Sequence, residues 1–308
     1  MDTRFDPYRW VATTLATLFH YDLDPSRRLV SPEADDVHTT EVLACTGTSG
    51  CIPTLLFRPK VATGTAVVFG HGIGVEKLIP YFKLINSLLQ RGITVASFEL
   101  DGHGQNLAEL RYPECLSCAP SVLRTLRATE GIDPNRIGYL GMSLGSVLGI
   151  RAAMAAPWIK AMVLLATPLR VKVSEWTRLQ EVIGTVHPFN AGHLMDASME
   201  HVMSCFFNPV RFAPEVAYTL LDTPFYDHAA ELIHALDPLS HAPQLPSIPT
   251  RLLQGEWDTI VPPESAYELL EALPGPAELL TYPRKNHFTI LFHQPAAEAA
   301  AEWFEQHL

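Results

Sequence analysis

Apolar residues along this chain fall into two kinds of run, one short and unbroken, the other spaced by three and four. Ala66-Val67-Val68-Phe69, Ile93 to Leu100, Arg136 to Leu140, Ala161 to Ala166, Thr250 to Gln254 and Glu278 to Tyr282 are of the first kind. They read as strands buried on both faces of a parallel sheet. Between them, Pro80 to Gln90 sets Phe82, Ile85, Leu88 and Leu89 at helical spacing, with Gly92 as the C-terminal cap. Further helices are expected around Ala119 to Thr129, Ser146 to Met154, Glu264 to Leu273 and Pro295 to His307. Such alternation predicts an α/β architecture, a mostly parallel central sheet with helices on both faces and right-handed crossovers. Upstream, Val37 to Thr46 and Ile52 to Arg58 are β-rich and joined by Gly47-Thr48-Ser49-Gly50, which predicts a hairpin with a longer loop. Asp6-Pro7 predicts a helix start, with Trp10, Val11, Leu15, Leu18 and Phe19 on one packing face.

The alternation stops after Ala166 and resumes only at Thr250. Between Pro168 and Pro249 the pattern suggests helices near Glu175 to Val186, Leu194 to Phe207, Ala213 to Leu221 and Tyr226 to Leu236, and no strand. A helical insertion here interrupts the sheet after its sixth strand and is expected to cap the strand C-termini, its aromatic residues (Trp176, Phe189, Phe206, Phe207, Tyr218, Phe225, Tyr226) mostly forming its own core. The organisation expected is a helical segment over 1–30, a first core part over 31–167, the cap over 168–249 and a second core part over 250–308.

Composition changes this picture little. With 308 residues, 47% hydrophobic and 18% charged, the chain is ordinary for a globular enzyme. Its formal charge of −11 comes without any basic run, so no nucleic-acid or anionic-membrane partner is expected. No apolar run has membrane-spanning length, and the N-terminal stretch lacks the features of a signal peptide, so a cytoplasmic location is expected. The oligomeric state is not legible. Five cysteines fit reduced thiols better than a disulfide framework.

Gly141-Met142-Ser143-Leu144-Gly145 lies between a strand-like run and a small-residue helix. This is the setting of a nucleophile elbow, in which the serine sits on a strained strand-to-helix turn and the glycines permit close backbone approach. A serine hydroxyl is a weak nucleophile at neutral pH and needs a histidine base, itself oriented by a carboxylate. Asp258 follows the strand Thr250 to Gln254, with Glu256 and Asp237 as competitors; His287 follows the strand Glu278 to Tyr282, with His293 as competitor. Ser143, Asp258, His287 is the chain order that goes with the α/β-hydrolase fold. His71 and His103 are expected to bond loop backbone rather than to react, and Glu76 and Lys77 to be solvated. Cys115-x-x-Cys118 with Cys45 and Cys51 leaves zinc or a disulfide open, unconnected thiols being the expectation.

The chain resembles the α/β-hydrolases, and within them the dienelactone-hydrolase and prolyl-oligopeptidase-like serine esterases. The likeness lies in His71-Gly72-Ile73-Gly74, Asp101-Gly102-His103-Gly104, Gly131-Ile132-Asp133-Pro134-Asn135-Arg136-Ile137 ahead of the elbow, Gly255-Glu256-Trp257-Asp258 and Asn286-His287-Phe288. The resemblance implies an oxyanion hole from the backbone N–H groups of Ile73 and Leu144. It implies no cofactor and no catalytic metal. The activity expected is hydrolysis of a carboxylic ester of a small acyl substrate through an acyl-enzyme on Ser143. Thioesterase, amidase or peptidase, carbon–carbon hydrolase and acyltransferase activities are the alternatives on this fold, and a binding module is disfavoured. No propeller-sized segment precedes the core, a departure from the peptidase relatives that counts against the peptidase alternative.

Overall fold

A computed structural model of the chain describes residues 38–75, 77, 81–171, 210–213, 216–218 and 223–308. The helix expected after Asp6-Pro7, the 1–30 segment, Glu76 and the helices expected over 175–186 and 194–207 lie outside the described residues.

The frame is one eight-stranded sheet in the order β1-β2-β4-β3-β5-β6-β9-β10. Its strands are β1 (His38–Gly47), β2 (Gly50–Pro59), β3 (Ala66–Gly70), β4 (Thr94–Phe98), β5 (Ile137–Met142), β6 (Ala161–Leu165), β9 (Thr250–Gly255) and β10 (Ala277–Tyr282). The β1–β2 and β2–β4 pairs are antiparallel. From β4 to β10 every pair is parallel. Strands β3, β4, β5 and β6 are buried throughout, as unbroken apolar runs require. The β1–β2 connection is tighter than expected: Gly47 pairs with Gly50, leaving a two-residue turn of Thr48 and Ser49, with Gly50 at φ +120°.

Helices α1 (Phe82–Gln90) and α7 (Gln294–His307) pack on each other over one face of the sheet. On the other face lie α2 (Cys118–Arg127), α3 (Leu144–Ala155) and α6 (Pro263–Ala272). Between β6 and β9 the described part of the insertion contains a small antiparallel pair, β7 (Val210–Phe212) and β8 (Val216–Tyr218), then α4 (Thr223–Leu236) and a helical turn α5 (Pro238–His241). The strand at 216–218 corrects the helix expected over 213–221. A three-residue strand carries no periodicity of its own, and its state is set by pairing with β7. Arg151 of α3 donates to the Leu236 carbonyl at 2.9 Å and ties the end of α4 to the core.

The sheet and α3 meet closely at the elbow. A Cβ on Gly145 would overlap the Gly70 carbonyl at the end of β3, and one on Gly141 would lie 2.6 Å from Ser146 Cα. Gly145→Ala is therefore expected to lower the unfolding free energy by about 3 kcal/mol, the cost of forcing apart two packed backbones. Urea titration of wild type and variant measures it.

Candidate active site

Ser143 stands between the last residue of β5 and the first of α3, at φ 50° and ψ −118°. A serine in that region is strained. It is held there because its N–H donates to the Leu165 carbonyl at 2.9 Å and its own carbonyl accepts the N–H of Ser146 at 2.9 Å. The flanking glycines then let the turn close.

The loop after β9 and the loop after β10 are laced together. The N–H groups of Glu256 and Trp257 donate to the carbonyls of Tyr282 and Lys285, and Gly255 passes so near the Lys285 carbonyl that a Cβ would collide with it. This brings Asp258 Oδ2 to 2.8 Å from His287 Nδ1. The same oxygen accepts from Gln254 Nε2 at 3.2 Å, while Oδ1 accepts the N–H groups of Ile260 at 3.1 Å and Val261 at 2.7 Å. A carboxylate so placed makes Nδ1 the protonated ring nitrogen and leaves a lone pair on Nε2. Asn286 fixes the His287 loop: its Oδ1 accepts the N–H groups of Phe288 and Thr289, and Thr289 Oγ1 accepts its N–H at 2.9 Å. The competitors lie elsewhere. Glu256 accepts from Thr281 Oγ1, Asp237 caps α5 through the N–H of Ser240, and His293 packs its ring on Tyr282 at 5.1 Å.

Ser143 and His287 line one cavity of about 630 Å³, its open mouth included. Gly72 and Ile73 line it too, and a Cβ on Gly72 would lie 3.4 Å from Ser143 Cβ. In the 71–74 loop the flanking groups are occupied. Gly72 N–H donates to Tyr81 Oη at 2.9 Å, and Gly74 N–H to His103 Nε2 at 3.0 Å. Among the described residues no acceptor faces the N–H of Ile73 between them, nor that of Leu144 at the start of α3. His71 Nε2 accepts the Leu100 N–H at 3.1 Å and its Nδ1 donates to the Gly72 carbonyl at 2.7 Å, which fixes the peptide plane carrying the Ile73 N–H. Both histidines bond loop backbone, as expected.

Lys77 is not solvated. It is buried, with Nζ 2.7 Å from Glu99 Oε1 and 3.3 Å from Gln105 Oε1. Sequence reading missed Glu99, which is fully buried, because a charged residue at a strand end reads as exposed. It also missed the roles of Tyr81, Gln254 and Asn286. Of these only Asn286, three residues before Thr289, carries a local turn signal. Among the described residues no group of side chains is placed to hold a metal ion; Cys45, Cys51, Cys115 and Cys118 are free thiols, Cys51 is exposed, and Cys118 Sγ donates to Asp101 Oδ1 at 3.2 Å.

Residues 62–292 match the family described as serine aminopeptidase, S33. The chain belongs to this family of α/β-hydrolases. It is 25% identical to the pimeloyl-acyl-carrier-protein methyl ester esterase of Xylella fastidiosa (strain 9a5c) over 252 residues, 78% of this chain and 95% of that one. Among solved structures, the DcsB complex with its substrate analogue superposes with a TM-score of 0.65 at 17% identity, covering 88% of this chain and all of the other (100%). The thermostable carboxylesterase EstE1, from a metagenomic library, gives a TM-score of 0.63 at 15% identity over 99% of each chain. The dienelactone hydrolase of Anabaena variabilis gives 0.57 at 19% identity over 88% of this chain and 99% of that one. The α/β-hydrolase fold with esterase resemblance, expected from the sequence, holds. No described helix is long and apolar enough to cross a membrane.

Burial holds His103 down at about 3, with His71 adding to the effect and the Asp101 carbonyl and Glu99 opposing it. Burial raises the Glu99 carboxyl, but its charged neighbours, the Lys77 ammonium at 2.7 Å among them, outweigh it and hold it at about 2. Below about pH 6.5 an unfolded His103 takes up a proton that the folded one refuses. Stability is therefore lost as pH falls from about 6.5 toward 3, at up to about 1.4 kcal/mol per pH unit. Glu99 adds a loss below about pH 4.5, continuing to 2. In His103→Gln the slope of unfolding free energy between pH 6.5 and 4.5 is expected to be shallower by up to one proton's worth, read from urea titrations across that range.

Proposed function

We propose that the protein hydrolyses carboxylic esters of apolar acyl groups through an acyl-enzyme on Ser143. His287 Nε2 takes the Ser143 proton as Oγ attacks the ester carbonyl, then delivers it to the departing alkoxide. Water, deprotonated by the same nitrogen, releases the acid and restores Ser143. Asp258 keeps His287 in the tautomer this needs. The N–H groups of Ile73 and Leu144 receive the developing oxyanion, each contributing about 3 kcal/mol to the transition state.

The observation that carries this reading is the strained Ser143 in one cavity with the carboxylate-bound His287, where among the described residues no acceptor takes the N–H of Ile73 or Leu144. That the bond is a carboxylic ester is supported by the likeness to the methyl ester esterase of Xylella fastidiosa. The cavity wall supports an apolar acyl group. Phe225, Tyr226, Ala229, Leu232 and Ile233, one face of α4, line it together with Val171, Phe288 and Leu291. An aminopeptidase must hold a substrate ammonium, and among the described residues no carboxylate lines the cavity.

Ser143→Ala is expected to abolish covalent labelling by a fluorophosphonate and to lower turnover of p-nitrophenyl esters by at least about 10³-fold while the protein stays folded. A folded wild type that takes no label would overturn the assignment of Ser143.

Ala229 is the small residue midway along the α4 wall. Ala229→Trp is expected to cut kcat/KM for p-nitrophenyl octanoate by about tenfold or more relative to the acetate, because the new ring occupies the space of the longer chain. An unchanged ratio would remove the acyl group from this wall.

A further inference from the structure

We propose that His103, which lies outside the reacting set, is a positioning residue for the Ile73 N–H, and that Lys77, Glu99 and Arg211 hold the frame in which it works. The inference rests on the reading of Ser143 and Ile73 given above.

Ile73 sits between two glycines, and Gly74 is at φ +78°. Such a segment has little conformational preference of its own, so the direction of its N–H must be imposed from outside. Two peptide planes flank the Ile73 α-carbon. The first, Gly72–Ile73, is fixed through the Gly72 carbonyl by His71. The second, Ile73–Gly74, is fixed through the Gly74 N–H by His103 Nε2 at 3.0 Å. With both planes held, φ and ψ of Ile73 are determined. One hydrogen bond through the Gly72 carbonyl leaves the first plane free to pivot unless the chain is also held on the far side of Ile73, so freeing the second plane lets the whole segment shift, and a donor misdirected by a few tenths of an ångström loses the oxyanion while substrate still binds.

His103 can do this because its own setting is rigid. The ring is fully buried, and its Nδ1 donates to the Asp101 carbonyl at 2.8 Å, which leaves Nε2 an acceptor. Its neighbour Gly104 packs its bare α-carbon on the Glu99 carboxylate, where a Cβ would lie 2.7 Å from Cδ. Glu99 in turn pairs with Lys77 on the outgoing arm of the Ile73 loop, and the Lys77 carbonyl accepts from Ser97 Oγ. Arg211, in β7 of the insertion, grips both sides of the histidine. Its N–H donates to the Gly102 carbonyl at 3.0 Å, its carbonyl accepts the Leu110 N–H at 2.7 Å, and its guanidinium donates to the carbonyls of Gly104 and Asn106. The insertion that walls the cavity is thus linked, through His103, to the oxyanion donor.

The test compares His103→Phe, which keeps a planar ring but has no acceptor, with His103→Gln, whose Oε1 can take the Gly74 N–H. His103→Phe is expected to lower kcat for p-nitrophenyl butyrate by about 10- to 100-fold, with KM within about threefold, and to weaken butylboronic acid, whose tetrahedral adduct fills the hole, by a similar factor. His103→Gln is expected to recover most of the loss. A folded His103→Phe with wild-type kcat and boronate affinity would overturn the inference, as would a loss confined to Tm and KM. Should His103→Phe not fold, Arg211→Met takes its place with the same expected split, and an unchanged kcat there overturns the inference equally. Fluorophosphonate labelling separates the two levels. Wild type that takes no label defeats the Ser143 reading and this one together, whereas labelled wild type beside an unaffected His103→Phe defeats this one alone.

Discussion

The closest approach that the site depends on is that of the Gly70 carbonyl, at the end of β3, to the bare α-carbon of Gly145 in the first turn of α3. Because nothing stands between them, the loop leaving β3 runs directly over the start of the helix. Gly72 then comes to rest against Ser143, and Ile73 enters the same cavity as the serine. Tyr139 completes the contact by donating to the Gly145 carbonyl at 2.8 Å. The strain at Ser143, of order 1–3 kcal/mol, is tolerated because these contacts are tertiary and leave the turn no room to relax.

Behind this contact lies a buried polar layer built to stay fixed. Two imidazoles bond backbone on both nitrogens, their rings 5.0 Å apart, and one carboxylate is paired with one ammonium. A buried ion pair is a poor source of stability, since desolvation offsets the Coulombic gain. What it contributes is geometric definition, in a loop whose glycines supply none. The walls of the cavity in front are apolar.

The fold was legible because its strands are unbroken apolar runs with helices of clear period between them, and Ser143, Asp258 and His287 were legible because each follows such a run. The parts that escaped are those defined only by tertiary contact. Val216-Ala217-Tyr218 is too short to show a period. Lys77 looks like any surface lysine until β4 delivers Glu99 to it. Tyr81 reads as the approach to a helix, although its hydroxyl accepts the N–H of Gly72 in the loop after β3. The turn between β1 and β2 was read as long because both its glycines were counted as loop, whereas they form the last pair of the ladder.

The sheet order places Ser143 and His287 on strands of unequal security. The serine follows β5, which is paired on both sides and wholly buried, while the histidine follows β10, an edge strand paired only with β9 and half-buried along its length. Edge elements with one hydrogen-bonded flank open at lower free energy than central ones. A local excursion of β10 and its loop would thus carry His287 away from Ser143 before the central strands part.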